Sequence, residues 1–295
     1  TPFNDYGEWN KILSYDFRNP LYDATTSSFD KSESKTITNN LTLRWDIWKG
    51  FYLTGSFSYS LSDSQSDKFV SPDHSSFETE TDPSKRGSYY ISNMRGKSWQ
   101  ARIGLTYSKT LSDNGSILTL NVGANANKSN SNSNSFSGIG FLKGNLTDMA
   151  FANSYPTNGQ PSGSESLSSS VGVFGNLNII FLNRYFVDGS YRVSGSSKFG
   201  KDRRFAPFWS VGAGINVHNY DFLKGNEWIN QFRIKGNVGQ TGKSNFQPYM
   251  ARNTYEVLLD DWYQTGIGAS LIYMGNEDLT WEKQLSWNVG TDLIT

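Results

Sequence analysis

The sequence predicts an all-β fold: a transmembrane antiparallel meander β-barrel with long extracellular loops. Three observations predict it. Apolar residues fall on alternate positions through most of the chain. The 3.6-residue period of an amphipathic helix is almost absent, with one short candidate at Asn219–Ile229. Connections between candidate strands run alternately short and long, which is how a meander crosses a bilayer.

Alternation predicts about nine strands, at roughly 35–46, 49–62, 97–111, 116–128, 167–180, 185–194, 204–217, 230–239 and 282–294. The first four carry an apolar face of Ile37, Leu41, Leu43 and Trp45, then Phe51, Leu53, Phe57, Tyr59 and Leu61, then Trp99, Ala101, Ile103, Leu105 and Tyr107, then Leu118, Leu120, Val122, Ala124 and Ala126. The stretch VGVFGNLNIIFLNRYFVDGSYRVSGSSKFG, from Val171 to Gly200, supplies the fifth and sixth, with Val171, Val173, Leu177 and Ile179, then Tyr185, Val187, Tyr191 and Val193. Trp209, Val211, Ala213, Ile215 and Val217 follow, then Phe232, Ile234 and Val238, then Leu285, Trp287, Val289 and Leu293. Positions that interrupt these faces are Gly, Asn or Thr and never charged. The opposite face holds Arg44, Arg102, Asp188, Arg192, Arg233, Lys235 and Asp292 among Ser, Thr, Asn and Gly.

Composition narrows the setting. The 295 residues carry no net charge, which removes the electrostatic case for nucleic acid. There is no cysteine, so a disulfide framework and a thiolate metal site are both excluded. The mean hydropathy is −0.55. A low mean is compatible with membrane crossing by strands, because a transmembrane strand hides only alternate residues from water.

Asp46–Gly50, Ser112–Gly115 (SDNG, a tight turn with Asn-Gly chemistry) and Phe181–Arg184 are short connections. Those over 63–96, 129–166 and 240–281 are long, about 34 to 42 residues each, and such loops are out of place in a compact soluble domain but expected outside a barrel. Aromatics bracket the short turns (Trp45, Trp48, Phe51 and Tyr52; Phe181, Tyr185 and Phe186), and Trp228 and Phe232 end another connection, as interfacial girdles require. The apolar face is thus expected to meet lipid and the polar face a wet or plugged lumen. An odd strand count predicts that part of a larger barrel lies outside the chain. A passive porin shares all these features. A soluble glycan-binding β-sandwich or adhesin, with two apolar faces packed together, is a second alternative.

Three stretches, YRVSGSSKFGKDRRFAPFWSVGAGINV (Tyr191–Val217), FRIKGNVGQTGK (Phe232–Lys243) and GNEDLTWEKQLSWNVGTDL (Gly275–Leu293), resemble the C-terminal barrel half of SusC/RagA-type TonB-dependent outer-membrane transporters. NPLYDA (Asn19–Ala24) fits the same family more loosely. Trp209-Ser210 stands where the family often has Pro-Ser, and Lys243 where it often has Asn. The resemblance implies a barrel of about 22 strands, of which residues 1–295 are a partial wall. It implies an N-terminal plug, a TonB-contacting segment and final strands outside this chain. It implies a SusD-like surface lipoprotein lid, import of glycans or peptides energised through TonB, and residence in the bacterial outer membrane among lipid and lipopolysaccharide. Neither enzymatic activity nor a cofactor is expected.

The candidate site residues follow from chemistry. Asp260 and Asp261 beside Trp262 and Tyr263 suit sugars, since rings stack on apolar sugar faces and carboxylates accept from hydroxyls; an exposed loop tip is the plainer reading. A calcium site there lacks EF-hand spacing. Arg102, Asp188, Arg192 and Arg233 are lumen-facing, and the arginines are expected to pair with plug or neighbouring carboxylates. Gly172, Gly212, Gly214 and Gly290 on the same face mark close backbone approach or curvature. KSNSNSNSFSG (Lys128–Gly138) reads as a flexible extracellular loop. Lys198, Lys201, Arg203 and Arg204 form a basic cluster that either meets lipopolysaccharide phosphates or is solvated. The two histidines, His74 and His218, stand too far apart in the chain for ligand-pair spacing, so no metal centre is expected.

Overall fold

The structure, a computed structural model, describes residues 2–13, 17–112, 115–157, 159–223 and 228–294; the side chains of 259–262 lie outside that description. Eleven strands are β1 (Phe29–Trp48), β2 (Phe51–Val70), β3 (Ser88–Ser112), β4 (Ser116–Ile139), β5 (Ser162–Phe181), β6 (Tyr185–Ser196), β7 (Phe205–Asn216), β8 (Gln231–Lys243), β9 (Thr254–Tyr263), β10 (Gly266–Tyr273) and β11 (Glu282–Ile294). Nine form one sheet in the order β1-β2-β3-β4-β5-β6-β7-β8-β11, so sequence neighbours pair throughout and β11 follows β8 across the insertion. β9 and β10 make a separate two-stranded hairpin. The fold is the expected meander, open at β1 and β11, with a single main sheet rather than the two packed sheets of a sandwich.

The nine predicted strands are all present, and several run further than alternation showed. β1 begins at Phe29, β2 continues to Val70, β3 begins at Ser88, β4 continues to Ile139 and β5 begins at Ser162. The Asn/Ser run read as a flexible loop is therefore the outer part of β4. Its hydroxyls and amides pair across strands: Ser133 with Ser164 at 2.7 Å, Ser135 with Ser162 at 2.9 Å and Asn134 with Asn93 at 3.4 Å. Where both faces of a strand are polar, apolar alternation disappears while the backbone ladder and the cross-strand side-chain pairs remain. The helix expected at Asn219–Ile229 is not formed among the described residues: one 3-10 turn, Val217–Asn219, is followed by further turns, with 224–227 outside the description. A stretch of this length needs tertiary packing to become helical, and Phe222 and Trp228 stay exposed. Asp113 and Asn114 of the SDNG turn also lie outside the described residues.

The chain divides into two compact units. The first comprises Thr1–Thr38, Ser60–Lys97 and Asn130–Ser166. Its core is aromatic: Phe69 and Phe141 are fully buried, with ring centroids 5.1 Å apart, and Phe29 and Tyr89 lie about the Phe69 ring at 5.8 and 6.1 Å. The NPLYDA stretch forms a one-turn helix, α1 (Pro20–Asp23), whose N-cap is the buried Asn19. The Asn19 side chain accepts from the Leu21 N–H and donates to the Asn10 carbonyl at 2.6 Å. Asp23 accepts from the backbone and hydroxyl of Ser75 at 2.8 and 2.7 Å, fastening the 71–87 connection. In that connection Asp82 accepts from the Ser84 hydroxyl at 2.7 Å and its N–H at 3.0 Å, which holds the carboxyl below the ordinary carboxylate range.

The second unit comprises Asn39–Tyr59, Ser98–Ser129 and Leu167–Thr295. Register puts the apolar rows of neighbouring strands on one face. Tyr191 lies opposite Gly175 on β5 and Trp209 on β7; Val211 lies opposite Gly189 and Val238; Val238 lies opposite Trp287. Large side chains thus often face glycine across a strand, so the face is filled without crowding. β5 and β6 are joined by Leu182, Asn183 and Arg184; Leu182 and Asn183 have positive φ (55° and 54°) and the Arg184 N–H donates to the Phe181 carbonyl at 3.0 Å, the conformation of a tight hairpin turn whose twist matches the strands.

At the opposite ends of β6, β7, β8 and β11, an aromatic cluster closes the unit. Phe199 is buried against Trp281 (4.9 Å between centroids) and Phe246 (5.9 Å), and Phe208 joins Trp281 at 5.3 Å. Trp281 Nε1 donates to the Arg204 carbonyl at 2.9 Å. Gly200 lies so close to the Glu277 carbonyl that a Cβ would overlap it. The three stretches that carry the family resemblance meet here. Phe199→Ala should cost about 3–5 kcal/mol through the lost contacts and the cavity left behind. Limited proteolysis of the intact protein should then show faster cleavage at 244–281, with the β5–β6 turn still protected.

Candidate functional site

The polar face of the second unit carries the candidate lumen residues. Pairing places Phe174 directly opposite Arg192 on β6, and Arg192 in turn opposite Phe208 on β7. Phe174 is 8% exposed although it stands at a polar-face position. The Arg102 guanidinium of β3 lies over its ring, 4.9 Å from the centroid. Arg192 Nε donates to the Ser194 hydroxyl at 2.7 Å and Nη2 to Asn125 Oδ1 at 2.8 Å. The structure thus gathers Arg102 and Arg192 around one ring. Two glycines make room: a Cβ at Gly123 would come within 2.7 Å of the Phe174 ring, and one at Gly172 within 2.7 Å of Arg192 Nη2. Ser170 donates to Asn127 beside them.

Asp188 and Arg233 are placed elsewhere on the face. Asp188 accepts from Asn178 Nδ2 at 2.5 Å. Arg233 Nε donates to Asn216 Oδ1 at 2.8 Å, and its guanidinium lies 5.3 Å from the Phe186 ring centroid. Lys235 and Asp292 form an ion pair at 2.8 Å, and Asn288 donates to Asn237 at 3.2 Å. Among the described residues, the neighbours of Arg102, Arg192 and Arg233 are rings, amides and a hydroxyl, which corrects the expectation of neighbouring carboxylates. Rings and side-chain amides hold a guanidinium without neutralising it, so each arginine keeps its charge and its remaining N–H donors. Of the four glycines expected to mark close approach, Gly172 and Gly214 do so, the latter beneath the Phe186 ring; Gly212 and Gly290 have only ordinary contacts.

Phe174, Phe186 and Asn125 complete this wall. The signal for the two rings was present as aromatics at polar-parity positions. Asn125 has no such signal, since it is one amide among many.

Asp260, Asp261, Trp262 and Tyr263 form the end of β9 next to the turn into β10; Trp262 lies opposite Ile267 and Tyr263 opposite Gly266, and the register shifts past Asp260 and Asp261. Tyr263 is exposed; the side chains of Asp260, Asp261 and Trp262 lie outside the described residues. His74 binds locally, to Ser76 at 3.0 Å and Asp23 at 3.5 Å, and His218 Nδ1 sits 3.0 Å from the Phe232 carbonyl oxygen. Among the described residues no cluster of ligating side chains could hold a metal ion. The basic cluster splits: Lys198 Nζ reaches the Ser244 carbonyl, while Lys201 and Arg203 are exposed, the latter 4.0 Å from the exposed Asp278. Fixed donors beside an aromatic ring can bind carbonyl, carboxylate or hydroxyl groups.

No family model matches the chain. It is 32% identical over 127 residues to the TonB-dependent receptor SusC of Bacteroides thetaiotaomicron, covering 41% of this chain and 13% of SusC. It is 30% identical over 138 residues to the TonB-dependent receptor P3 of Formosa agariphila, covering 45% of this chain and 14% of that protein. The chain therefore spans a small part of the curated relatives it matches. Its fold matches the structure of the RagAB peptide transporter with a TM-score of 0.84 at 23% identity, over 99% of this chain and 32% of that one. The likeness to SusC/RagA-type TonB-dependent transporters holds, and the relatives are named as receptors and transporters, not enzymes.

A double-mutant cycle tests the arginine wall. Arg102→Gln and Phe174→Leu in the intact protein should couple by about 0.5–1 kcal/mol in denaturant unfolding, the size of a partly exposed cation–π contact. Arg233→Gln with Phe174→Leu should be additive.

Proposed function

We propose that this chain forms part of the wall of a bacterial outer-membrane importer, a barrel through which glycans or oligopeptides pass inward. The observation that carries the reading is the division of one sheet into two unlike faces. On one, Leu41, Trp45, Ile103, Val173, Tyr191, Val211, Trp287 and Val289 are exposed to the surroundings. In water such a continuous apolar surface would be a liability, whereas in lipid it is the required exterior. On the other, arginines, asparagines and serines are held by one another and by rings, as a wet passage requires.

Energisation through TonB is supported by the names of SusC and P3, and oligopeptide cargo by the name of the RagAB transporter. The plug, the TonB-contacting segment and the remaining strands would come from parts of the protein outside residues 1–295. A SusD-like surface lipoprotein would cover long connections such as 244–281 of the second unit. The β9–β10 hairpin suits that role or contact with cargo, because it exposes Tyr255, Val257, Ile272 and Tyr273. An isolated two-stranded hairpin is marginal in water and gains from a covering surface. Arg102 and Arg192 would bind passing carboxylate, carbonyl or hydroxyl groups.

The test is to extract the intact protein from outer membranes in mild detergent by affinity capture and identify what stays bound by mass spectrometry. A stoichiometric lipoprotein, with or without retained glycan or peptide, is the expected result. Recovery of the barrel alone would favour a passive porin. Release into buffer without detergent would overturn the membrane reading.

A further inference from the structure

The apolar face of the second unit carries a groove of about 410 Å³, lined by Ala101, Ala124, Ala126, Val171, Val193 and Phe205 among others. The alanines of β3 and β4 leave a furrow, and Phe205, 64% exposed, forms its wall on the β7 side. A Cβ at Gly195, directly opposite Phe205, would collide with that ring, so the glycine lets Phe205 lie across β6.

Two cations flank one end of this groove. Lys128 is two residues beyond Ala126 on β4, so it occupies the same outward face, and it is exposed. Arg203 is two residues before Phe205 in the turn leading into β7, and it is also exposed. Its ion-pair partner among the described residues, Asp278, is 4.0 Å away and its side chain is 90% exposed, a contact too weak to hold the guanidinium against a better anion. Both cations stand where the apolar rows of β4 and β7 stop, at the end away from the tight β5–β6 turn. In a barrel whose short turns are periplasmic, that end is the outer leaflet.

We propose that the groove seats an acyl chain of lipid A, with its phosphate held between Lys128 and Arg203. The inference rests on the barrel reading and adds a specific lipid site to it. The charge pattern selects the occupant. An apolar furrow alone would accept any chain, and a second copy of this protein would bring its own Lys128 and Arg203 into repulsion. An anionic phosphate at the headgroup level complements both cations, and charge-assisted bonds to phosphate are among the stronger polar contacts.

The test is native mass spectrometry of the intact protein, extracted from outer membranes in mild detergent. The wild type should retain a lipid A adduct. The double variant Lys128→Ala/Arg203→Ala should retain it less by on the order of tenfold or more, the effect of removing two cations near an anionic headgroup. Ala126→Phe, which fills the furrow and leaves both charges, should also lose it. Lys109→Ala, at the other end of β3 on the same face, should retain it. Phospholipid adducts without lipid A, retention unchanged in the double variant, or a dimer split by Ala126→Phe would each overturn the site while leaving the barrel intact. Recovery without detergent would instead overturn the barrel reading itself.

Discussion

On the barrel reading proposed above, the structure depends on one constraint: a backbone exposed to lipid finds no hydrogen-bond partner outside the protein. Every amide and carbonyl of a spanning segment must therefore be paired with a neighbouring strand. A meander meets that condition with sequence neighbours alone. β5 through β8 pair in unbroken antiparallel register, and β11 continues the ladder from β8 once the 244–281 insertion has been made. Because side chains alternate along each strand, the same ladder sorts residues onto an apolar face and a polar face. A slip of one residue would exchange the two faces completely. Trp209, Val211 and Ile215 outward and Ser210, Gly212 and Gly214 inward are thus one choice, not six.

The two faces are built differently. Outward, large side chains are set against glycine or small residues across the strand, as Tyr191 is against Gly175 and Val289 against Gly236. Inward, aromatic rings are supports for cations: Phe174 carries Arg102, and Phe186 carries Arg233. A guanidinium held by a ring and amides is fixed in position with N–H donors to spare. At the ends of the strands, closure falls to packed rings. Phe199, Phe208, Phe246 and Trp281 lock the connections of the second unit, and Phe69 and Phe141 do the same within the first.

Where one face is apolar and the other polar, the fold was legible in the sequence, because alternate side chains then show a period of two. The apolar rows of all nine strands of the main sheet were readable for that reason. The outer parts of β1 to β5 were not, since Ser133–Ser164 and Ser34–Ser64 pair hydroxyls across strands whose two faces are both polar. β9 and β10 were hidden inside a long connection, and their register shifts further blur any alternation. The wall was half legible. Arg102 and Arg192 stood out as charges at polar-face positions, but their meeting at Phe174 depends on the strand order and register, which a single strand does not display. The Asn19 cap and the Phe199–Trp281 contact were visible only as parts of familiar stretches; their physical roles emerge from residues distant in the chain.

The division of faces can be measured residue by residue. Residues 1–295 contain no cysteine, so single cysteines placed along 205–216 of the intact protein, with any cysteine elsewhere in it replaced, give one label site each. Spin labels there, in native outer membranes, report accessibility to oxygen dissolved in lipid and to a water-soluble nickel chelate. The expected result is a period of two, with odd-numbered positions from 205 to 215 favouring oxygen and even-numbered positions shielded from it. Equal accessibility along the strand, or oxygen contact at the even-numbered positions, would contradict a sheet with one face in lipid.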